Sequence, residues 1–222
     1  MQMQMYMRRV SDYAYGADSV VRRWRARRMQ AFLELVLPPR RARILDLGGT
    51  SYNWELIDHE FDVTLVNLPD VFDASTEQAK GNVKCIVGDA TDLTQTFADQ
   101  SFDVVFSNSV IEHVGDCDKR QAMAAEVHRL APAHWVQTPS DRFPIEVHTG
   151  MPYFFRLPKS LRASMLDHWQ RTLPGWTETI RATTVIPRAE MRTLFPSSRL
   201  FIERKFGLEK SYSFYRPFWA LS

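Results

Sequence analysis

Polar residues that could bind a nucleotide-like ligand follow four short apolar segments in the first half of the chain. Three segments end at or just before Asp46, Asn67 and Asp89, and the fourth leads into Asn108. Such side chains can exchange hydrogen bonds with the ammonium, hydroxyl and amino groups of a ligand. Buried parallel strands deliver groups of this kind at their C-terminal ends, so we expect the four ends to form one binding crevice.

A glycine pair, Gly48 and Gly49, follows the first of these segments. Because glycine has no Cβ, the pair could let a ligand approach the backbone closely, although both could also be ordinary turn residues. The polar residues have structural alternatives as well. Asp46 could cap the next helix or belong to a turn, Asn67 could cap a helix, and Asp89 could form a simple Asx-turn.

The order and content of these segments resemble the class I S-adenosylmethionine-dependent methyltransferases, bacterial small-molecule type, over roughly residues 42 to 139. In that family one strand ends in an acidic residue before a glycine-rich turn, a second ends in a ribose-binding residue, and a third precedes an aspartate that meets the adenine amino group. The resemblance implies a Rossmann-like fold, S-adenosylmethionine as cofactor and S-adenosylhomocysteine as product. The cofactor-binding residues that it indicates are Asp46, Leu47, Gly48, Gly49, Asn67, Leu68, Asp89, Ala90, Ser107 and Asn108.

Histidines are the candidates for proton transfer, because an alcohol or phenol acceptor must lose a proton when it is methylated. His148 follows Glu146 by two residues, in a Pro-Ile-Glu-x-His segment that resembles one seen after the fifth strand in a bacterial subset of these enzymes. In an extended chain both side chains point the same way, so Glu146 could orient His148 and raise its pKa. A pair that only fixes a loop is equally compatible. His113 is the second candidate, although Glu112 and His113 could instead cap and pack a helix start.

Strands that alternate with helices predict an α/β fold: a Rossmann-like, seven-stranded, mostly parallel sheet with helices on both faces and an antiparallel C-terminal strand. Residues 139–180 hold many prolines and aromatics and no clean strand, which predicts an insertion that forms the acceptor pocket or a lid. The predicted strands are 44–47, 63–67, 83–87, 102–107, 134–137, 200–205 and 212–215, and the predicted helices are 18–37, 52–58, 71–80, 118–130 and 188–194.

The N-terminal segment is basic, with ten arginines against three acidic residues through Arg43, although the whole chain has a formal net charge of +2. Residues 18–37 fit a helix with an apolar stripe and arginines on the other side. Two interpretations are open: a solvated arginine face, or a binding surface for a phosphorylated or nucleic-acid substrate.

The length of 222 residues and the 45% hydrophobic content fit one domain, with a basic segment 1–40 and the insertion 139–180. No apolar run is long enough for a membrane span or a signal peptide, so we expect a cytoplasmic protein. The spacing of Cys85 and Cys117 indicates plain thiols, and no set of histidines or carboxylates has metal-binding spacing.

The sequence therefore predicts methyl transfer from S-adenosylmethionine to a small or medium polar acceptor, with oxygen as the preferred atom. One alternative is an RNA or nucleotide methyltransferase that uses the basic N-terminus, although no nucleic-acid-binding module is visible. Another is a non-catalytic nucleotide-binding domain of the same fold. A dinucleotide-binding oxidoreductase is disfavoured because the turn lacks a third glycine and the second strand ends in Asn67 rather than in an acid. The sequence leaves the oligomeric state open.

Overall fold

A computed structural model describes residues 20–69, 82–144, 151 and 153–221 of the chain. Seven strands of these residues form one sheet. The strands are β1 (Arg43–Leu47), β2 (Asp62–Asn67), β3 (Val83–Val87), β4 (Val104–Asn108), β5 (Ala133–Pro139), β6 (Arg199–Lys205) and β7 (Leu208–Arg216). The helices are α1 (Val20–Val36), α2 (Ser51–Trp54), α3 (Cys117–Leu130), α4 (Lys159–Gln170), α5 (Pro174–Ala182) and α6 (Arg188–Leu194), and short 3-10 turns cover Phe154–Arg156 and Phe218–Leu221.

The sheet has the order β3-β2-β1-β4-β5-β7-β6. Strands β1 to β5 run parallel, and β7 is antiparallel to both of its neighbours, β5 and β6. The predicted α/β fold is therefore confirmed. Strands β2 and β3 are added on one side of β1, whereas β4 and β5 are added on the other side. Ligands of open α/β sheets bind at the carboxyl ends of the strands where the strand order reverses in this way, here between β1 and β4.

Successive residues of β1 face opposite layers, as the two-residue period of a strand requires. Ile44 packs in the layer that contains α1, with Phe32 and Trp54, whereas Leu45 packs in the layer that contains α3, with Val127. Because both faces are covered, β1 is apolar almost throughout. The ionisable residue Asp46 lies on the same face as Ile44, because the two are two positions apart, and its side chain therefore points towards Trp54 of α2.

Helix α1 confirms the predicted apolar stripe in part. Met29, Phe32 and Val36 are buried, but Leu37 lies beyond the helix, is 51% exposed and has a φ of 54°. The expectation that the arginines form a solvated face is wrong for Arg28, which is only 7% exposed. Arg28 borders the apolar stripe, and β6 presents a carboxylate there, so the guanidinium is paired inside the protein.

Several element boundaries differ from those predicted. Strand β7 starts four residues earlier than the apolar pattern indicates, because its backbone pairs with β6 from Leu208 onwards. The insertion contains helices α4 and α5, which were not among the predicted elements. Helix α2 ends at Trp54, whereas 52–58 was expected. The predicted helix 71–80 lies outside the described residues. Within the described residues, no helix is long and apolar enough to cross a membrane.

Candidate functional site

Three cavities lie at the carboxyl edge of the sheet, and we name them by their lining. The β2 cavity has a volume of about 370 Å³ and is lined by Gly48, Asn67, Leu68, Asp89, Ala90, Ser109, Val110 and His113, among others. The basic cavity, of about 410 Å³, is lined by Trp24, Arg25, Arg28, Gly48, Gly49, Asn108, Ser109, Gln137, Pro139 and Lys210, among others. The aromatic cavity, of about 260 Å³, is lined by Glu112, Thr138, Pro139, Asp141, Phe143, Tyr153, Phe154, Phe155 and Arg156, among others.

Shared residues show how the cavities adjoin. Gly48 and Ser109 line both the β2 cavity and the basic cavity. Pro139 lines both the basic cavity and the aromatic cavity. The ends of β1, β4 and β5 thus carry a row of three neighbouring spaces, at the place where the sequence predicts a binding crevice.

The turn after β1 requires glycine at both positions. Gly48 has a φ of +73°, and a Cβ there would lie 2.5 Å from a methyl carbon of Val110. A Cβ on Gly49 would lie 1.9 Å from the Oδ2 atom of Asp46. The sequence left two interpretations of the pair open, the close approach of a ligand and an ordinary turn. In the structure, other residues of the protein already occupy the space beside both α-carbons, and each glycine also lines a cavity.

Asp46 lies behind this turn and not in a cavity wall. Its side chain is fully buried, and Trp54 Nε1 donates a hydrogen bond of 2.9 Å to Oδ2. The Oδ1 atom has no hydrogen-bond partner among the described residues. Burial raises the pKa of this carboxyl to about 8, although the bond from Trp54 opposes the change. The contact of Asp46 with a cofactor stays a prediction, and its neighbours Gly48 and Gly49 are the residues of this turn that line the cavities.

The β2 cavity brings five of the predicted cofactor residues together: Gly48, Asn67, Leu68, Asp89 and Ala90. The Nδ2 atom of Asn67 donates a hydrogen bond of 2.7 Å to the carbonyl of Gly49, which ties β2 to the turn after β1. Asp89 Oδ1 accepts hydrogen bonds from the backbone and the hydroxyl of Thr91, at 2.9 and 2.8 Å. The Asx-turn that the sequence offered as an alternative for Asp89 is therefore present, and the residue lines the cavity as well.

Leu47 and Ser107 do not reach a cavity through their side chains. Both are fully buried, and the hydroxyl of Ser107 donates to the carbonyl of Leu47 at 3.3 Å. This bond links β1 to β4 beneath the crevice. Asn108, one residue further along β4, does line the basic cavity.

Arg28 organises the wall of the basic cavity. Its Nη1 donates to the Oδ1 of Asn108 at 2.7 Å and to the Oε1 of Gln137 at 3.3 Å. Its Nη2 lies 2.7 Å from the Oε2 of Glu203. The hydroxyl of Ser109 also donates to Gln137 Oε1, at 2.9 Å. Sequence analysis missed this network, because its members are as much as 175 positions apart and no local pattern connects them.

The basic cavity carries excess positive charge. Arg25, Arg28 and Lys210 line it, and no carboxylate among the described residues does so. Burial lowers the pKa of Lys210 to about 8, and the neighbouring charge of Arg28 adds to this effect. Burial alone would raise the pKa of Glu203, but the charges of Arg28 and Lys210 bring it below its usual value. An anionic group in this cavity would relieve the repulsion between the cations.

The segment 110–113 separates the β2 cavity from the aromatic cavity. Val110 and His113 line the β2 cavity, and Glu112 lines the aromatic cavity. The Nδ1 atom of His113 lies 3.3 Å from the hydroxyl of Thr183. The alternative in which Glu112 and His113 cap a helix is wrong for α3, because Asp116 is its N-cap and accepts from the backbone of Lys119.

Glu146 and His148 lie outside the described residues, and their role stays a prediction. The residues described on either side of this segment include Pro144 and Tyr153. Both line the aromatic cavity, and the backbone N–H of Tyr153 donates to the carbonyl of Pro144 at 2.6 Å.

The aromatic residues of the insertion form a small core. The ring of Trp169 stacks on Phe154 and meets Trp176 edge-on, with ring centroids 5.7 and 5.1 Å apart. Phe154, Phe155 and Tyr153 also line the aromatic cavity. No group of three or more metal-binding side chains occurs among the described residues.

Comparison with known proteins finds similarity to methyltransferases. Residues 45–132 match the family model described as a methyltransferase domain. A search among curated proteins finds no match. Among solved structures, the chain is similar to a protein from Pyrococcus horikoshii OT3, with 20% identity, a TM-score of 0.56 and coverage of 92% of this chain and 95% of that chain.

Two further solved structures are similar. One is a protein from Anabaena variabilis ATCC 29413, described as a methyltransferase from an antibiotic biosynthesis pathway. Its sequence identity to this chain is 17% and the TM-score is 0.53, and the match covers 81% of this chain but only 64% of that one. The other is magnesium protoporphyrin IX methyltransferase from Synechocystis PCC 6803, solved with bound S-adenosylhomocysteine; the identity is 14%, the TM-score is 0.53, and the match covers 88% of this chain and 84% of that one.

At these identities the structural similarity establishes the fold. The matched family model adds a methyltransferase domain over residues 45–132, a region that contains the Asp46-Gly48-Gly49 turn and the ends of β2, β3 and β4. The family match and the fold together support an enzyme of the class I methyltransferase type that uses S-adenosylmethionine.

Proposed function

We propose that the enzyme methylates an oxygen atom of a small or medium polar molecule, and that this molecule binds in the aromatic cavity. The observation that carries the proposal is the position of that cavity. It meets the basic cavity at Pro139, and one segment, residues 110–113, lines both it and the β2 cavity. An acceptor in the aromatic cavity is therefore next to both spaces that suit the cofactor.

The residues of the other two cavities fit the cofactor, which supplies an activated methyl group when bound. We propose that Asn67 and Asp89 offer polar groups to its ribose and adenine, and that Leu68, which is 55% exposed, packs on the adenine. Arg25 and Lys210 in the basic cavity suit the carboxylate at the methionine end.

The preference for oxygen follows from the need to remove a proton. Alcohols and phenols lose a proton on methylation, and an imidazole is suited to accept it near neutral pH. His113, which lines the β2 cavity, and His148, with Glu146 as its partner, are the two residues that we propose for this role. The aromatic walls would keep water away from the acceptor.

We further propose that the chain acts as one domain over residues 1–222, with the basic segment 1–40 and the insertion 139–180 completing the active site. Two observations support this proposal. Helix α1 contributes Trp24, Arg25 and Arg28 to the basic cavity, and the insertion contributes Tyr153 and Phe154 to the aromatic cavity.

A nucleic-acid acceptor is the less favoured alternative. Among the arginines between positions 22 and 28, Arg23 and Arg27 are exposed, whereas Arg28 is buried in an ion pair. A phosphate-binding surface needs cations that can reach the solvent. RNA binding whose affinity falls steeply with salt, as expected for several phosphate contacts, would favour this alternative.

Calorimetry with S-adenosylhomocysteine tests the proposed cofactor site. We expect binding that Asp89→Ala weakens by about 1 to 3 kcal/mol, the cost of a lost hydrogen bond to a charged group. Asp103→Ala is the matched control, because this aspartate is bound to Arg43 away from the cavities. An unchanged affinity in Asp89→Ala would remove this residue from the proposed site.

Transfer of a labelled methyl group from S-adenosylmethionine tests the acceptor. The panel contains phenols, aryl amines and aryl carboxylic acids of equal size, together with total RNA. We expect labelled methyl ethers from the phenols. Transfer to amines alone would refute oxygen as the acceptor atom, and transfer to RNA alone would refute the small-molecule proposal.

A further inference from the structure

The carboxylate of Glu112 and the hydroxyl of Thr138 form a polar pair in the wall of the aromatic cavity. The Oγ1 atom of Thr138 donates a hydrogen bond of 3.0 Å to the Oε2 of Glu112. The two residues are 2% and 0% exposed, respectively. Both line the cavity, so this pair is the most deeply buried polar feature that a bound molecule could meet there.

Other polar side chains of the same wall are directed elsewhere. The hydroxyl of Ser140 donates to Glu209 at 2.9 Å, and that of Thr183 donates to the carbonyl of Thr179 at 2.8 Å. The guanidinium of Arg156 donates to the backbone carbonyl of Asp141 at 3.2 Å. These bonds go to backbone carbonyls or to a side chain outside the wall, whereas the Glu112–Thr138 bond joins two side chains of the cavity wall.

The structural role of position 112 in the fold does not require a carboxylate. The backbone carbonyl of Glu112 accepts from the N–H of Thr184 at 2.8 Å, a bond that any residue type could make. A buried carboxylate carries a desolvation cost that a neutral amide or an apolar side chain would avoid. Ionisable groups retained in a cavity despite this cost are candidates for function.

The rest of the cavity wall suits an apolar body. Phe143, Tyr153, Phe154 and Phe155 contribute rings, and apolar lining of this kind with a few polar groups is usual for small-molecule sites. Among the described residues, the charged members of the wall are Glu112, Asp141 and Arg156, which give a negative balance, in contrast to the three cations of the basic cavity next to it. The two adjoining cavities therefore favour opposite charges.

We infer that Glu112 and Thr138 determine the specificity of the aromatic cavity. They select a molecule with an aromatic or aliphatic body that carries a hydrogen-bond donor, a hydroxyl or an ammonium group, and they reject an anionic group at that position. This inference rests on the proposed function only in that the bound molecule is taken to be the methyl acceptor. The preference itself is a property of the cavity and can be measured as binding, without turnover.

Three probes with one benzene ring test the preference: benzylamine, benzyl alcohol and benzoate. Their affinities are measured by ligand-observed NMR on the full-length chain and compared between variants, so that any binding elsewhere on the protein cancels. We expect the wild-type protein to bind benzylamine and benzyl alcohol at least about 10-fold more tightly than benzoate, because each lost charge-assisted hydrogen bond is worth at least this factor.

Glu112→Gln should remove the preference, with a loss of about 10-fold or more for benzylamine and no loss for benzoate. Glu34→Gln is the matched control, because Glu34 is an exposed glutamate that lines none of the three cavities, and it should keep the preference. Thr138→Val should strengthen benzylamine binding, because it removes a donor that competes for the Glu112 carboxylate. If Glu112→Gln does not fold, as judged by circular dichroism, Thr138→Val decides the question.

Equal effects of Glu112→Gln on the affinities for the three probes would overturn the inference. A preference that persists in Glu112→Gln, or that is unchanged or weaker in Thr138→Val, would overturn it as well. S-adenosylhomocysteine binding is measured in parallel and should stay within about twofold in Glu112→Gln. A failure of the wild-type protein to bind S-adenosylhomocysteine would count against the proposed function, but the probe preference would remain measurable.

Discussion

The buried carboxyl of Asp46 should make the protein less stable as the pH rises. Burial holds its pKa at about 8 in the folded chain, against an ordinary value of 3.8. Between these pH values the unfolded chain has released a proton that the folded chain still holds. The free energy of unfolding must therefore fall as the pH rises from about 4 to about 8, and the contribution of this group levels off above that range.

The magnitude follows from the size of the shift. A pKa raised from 3.8 to about 8 is a change of about four units, and each unit corresponds to about 1.36 kcal/mol. The limiting cost at high pH is thus about 6 kcal/mol. Between pH 5 and pH 7, both inside the window, the contribution of Asp46 should change by roughly 2 to 3 kcal/mol.

Asp46→Asn removes the ionisable group and keeps the shape of the side chain. The amide oxygen can still accept from Trp54 Nε1, the donor of the 2.9 Å bond. The amide N–H₂ would take the position of the Oδ1 atom, which has no hydrogen-bond partner among the described residues, and would cost about 1 to 3 kcal/mol at every pH. The informative quantity is therefore the pH dependence of the difference between variant and wild type.

Urea unfolding at pH 5, 6, 7 and 8, without cofactor and followed by tryptophan fluorescence, measures this difference. We expect the stability of Asp46→Asn relative to the wild type to rise by roughly 2 to 3 kcal/mol from pH 5 to pH 7. Asp62→Asn controls for the loss of an exposed aspartate at the start of the neighbouring strand β2. A difference that stays constant within about 0.5 kcal/mol would refute the argument, because the carboxyl would then titrate alike in the folded and unfolded chains.

Three further predictions concern other buried features. Arg28→Met should destabilise the protein by about 3 to 5 kcal/mol in urea unfolding, because it removes the buried guanidinium that bonds Glu203, Asn108 and Gln137. The same change at the exposed Arg27 should cost less than about 0.5 kcal/mol, and equal effects would contradict the buried pair. Gly49→Ala should lower the free energy of unfolding by about 1 to 3 kcal/mol or more, because the added Cβ overpacks the turn. Gly175→Ala is the control and should be neutral or stabilising, because a Cβ there meets nothing within 4 Å. Burial, and then neighbouring positive charges, lower the pKa of His134 from 6.5 to about 3. The free energy of unfolding that this histidine contributes is present above pH 6.5 and should be lost as the pH falls below that value. His134→Gln should therefore reduce the loss of stability between pH 7 and pH 4 by about 3 kcal/mol, and no reduction would show that the histidine is charged in the folded chain.

The sequence alone was sufficient for the fold, because the strands of a two-faced parallel sheet are local apolar runs that stop at polar or glycine residues. Strand β3 and helix α6 match their predicted bounds, and the crevice at the ends of β1, β2 and β4 follows from strand order. The positions of Asn67 and Asp89 on that crevice were also predictable, since each directly follows a strand that the apolar pattern identifies.

Tertiary structure alone decided how the side chains at the crevice are used. Strand parity turns the carboxyl of Asp46 away from the cavities towards Trp54, and a distant strand supplies the partner of Arg28. Glu112 and His113 are adjacent in sequence but face different cavities. Local propensity encodes where a strand ends, but the charge, burial and direction of a side chain depend on residues far away in sequence, and no pattern along the chain records those contacts.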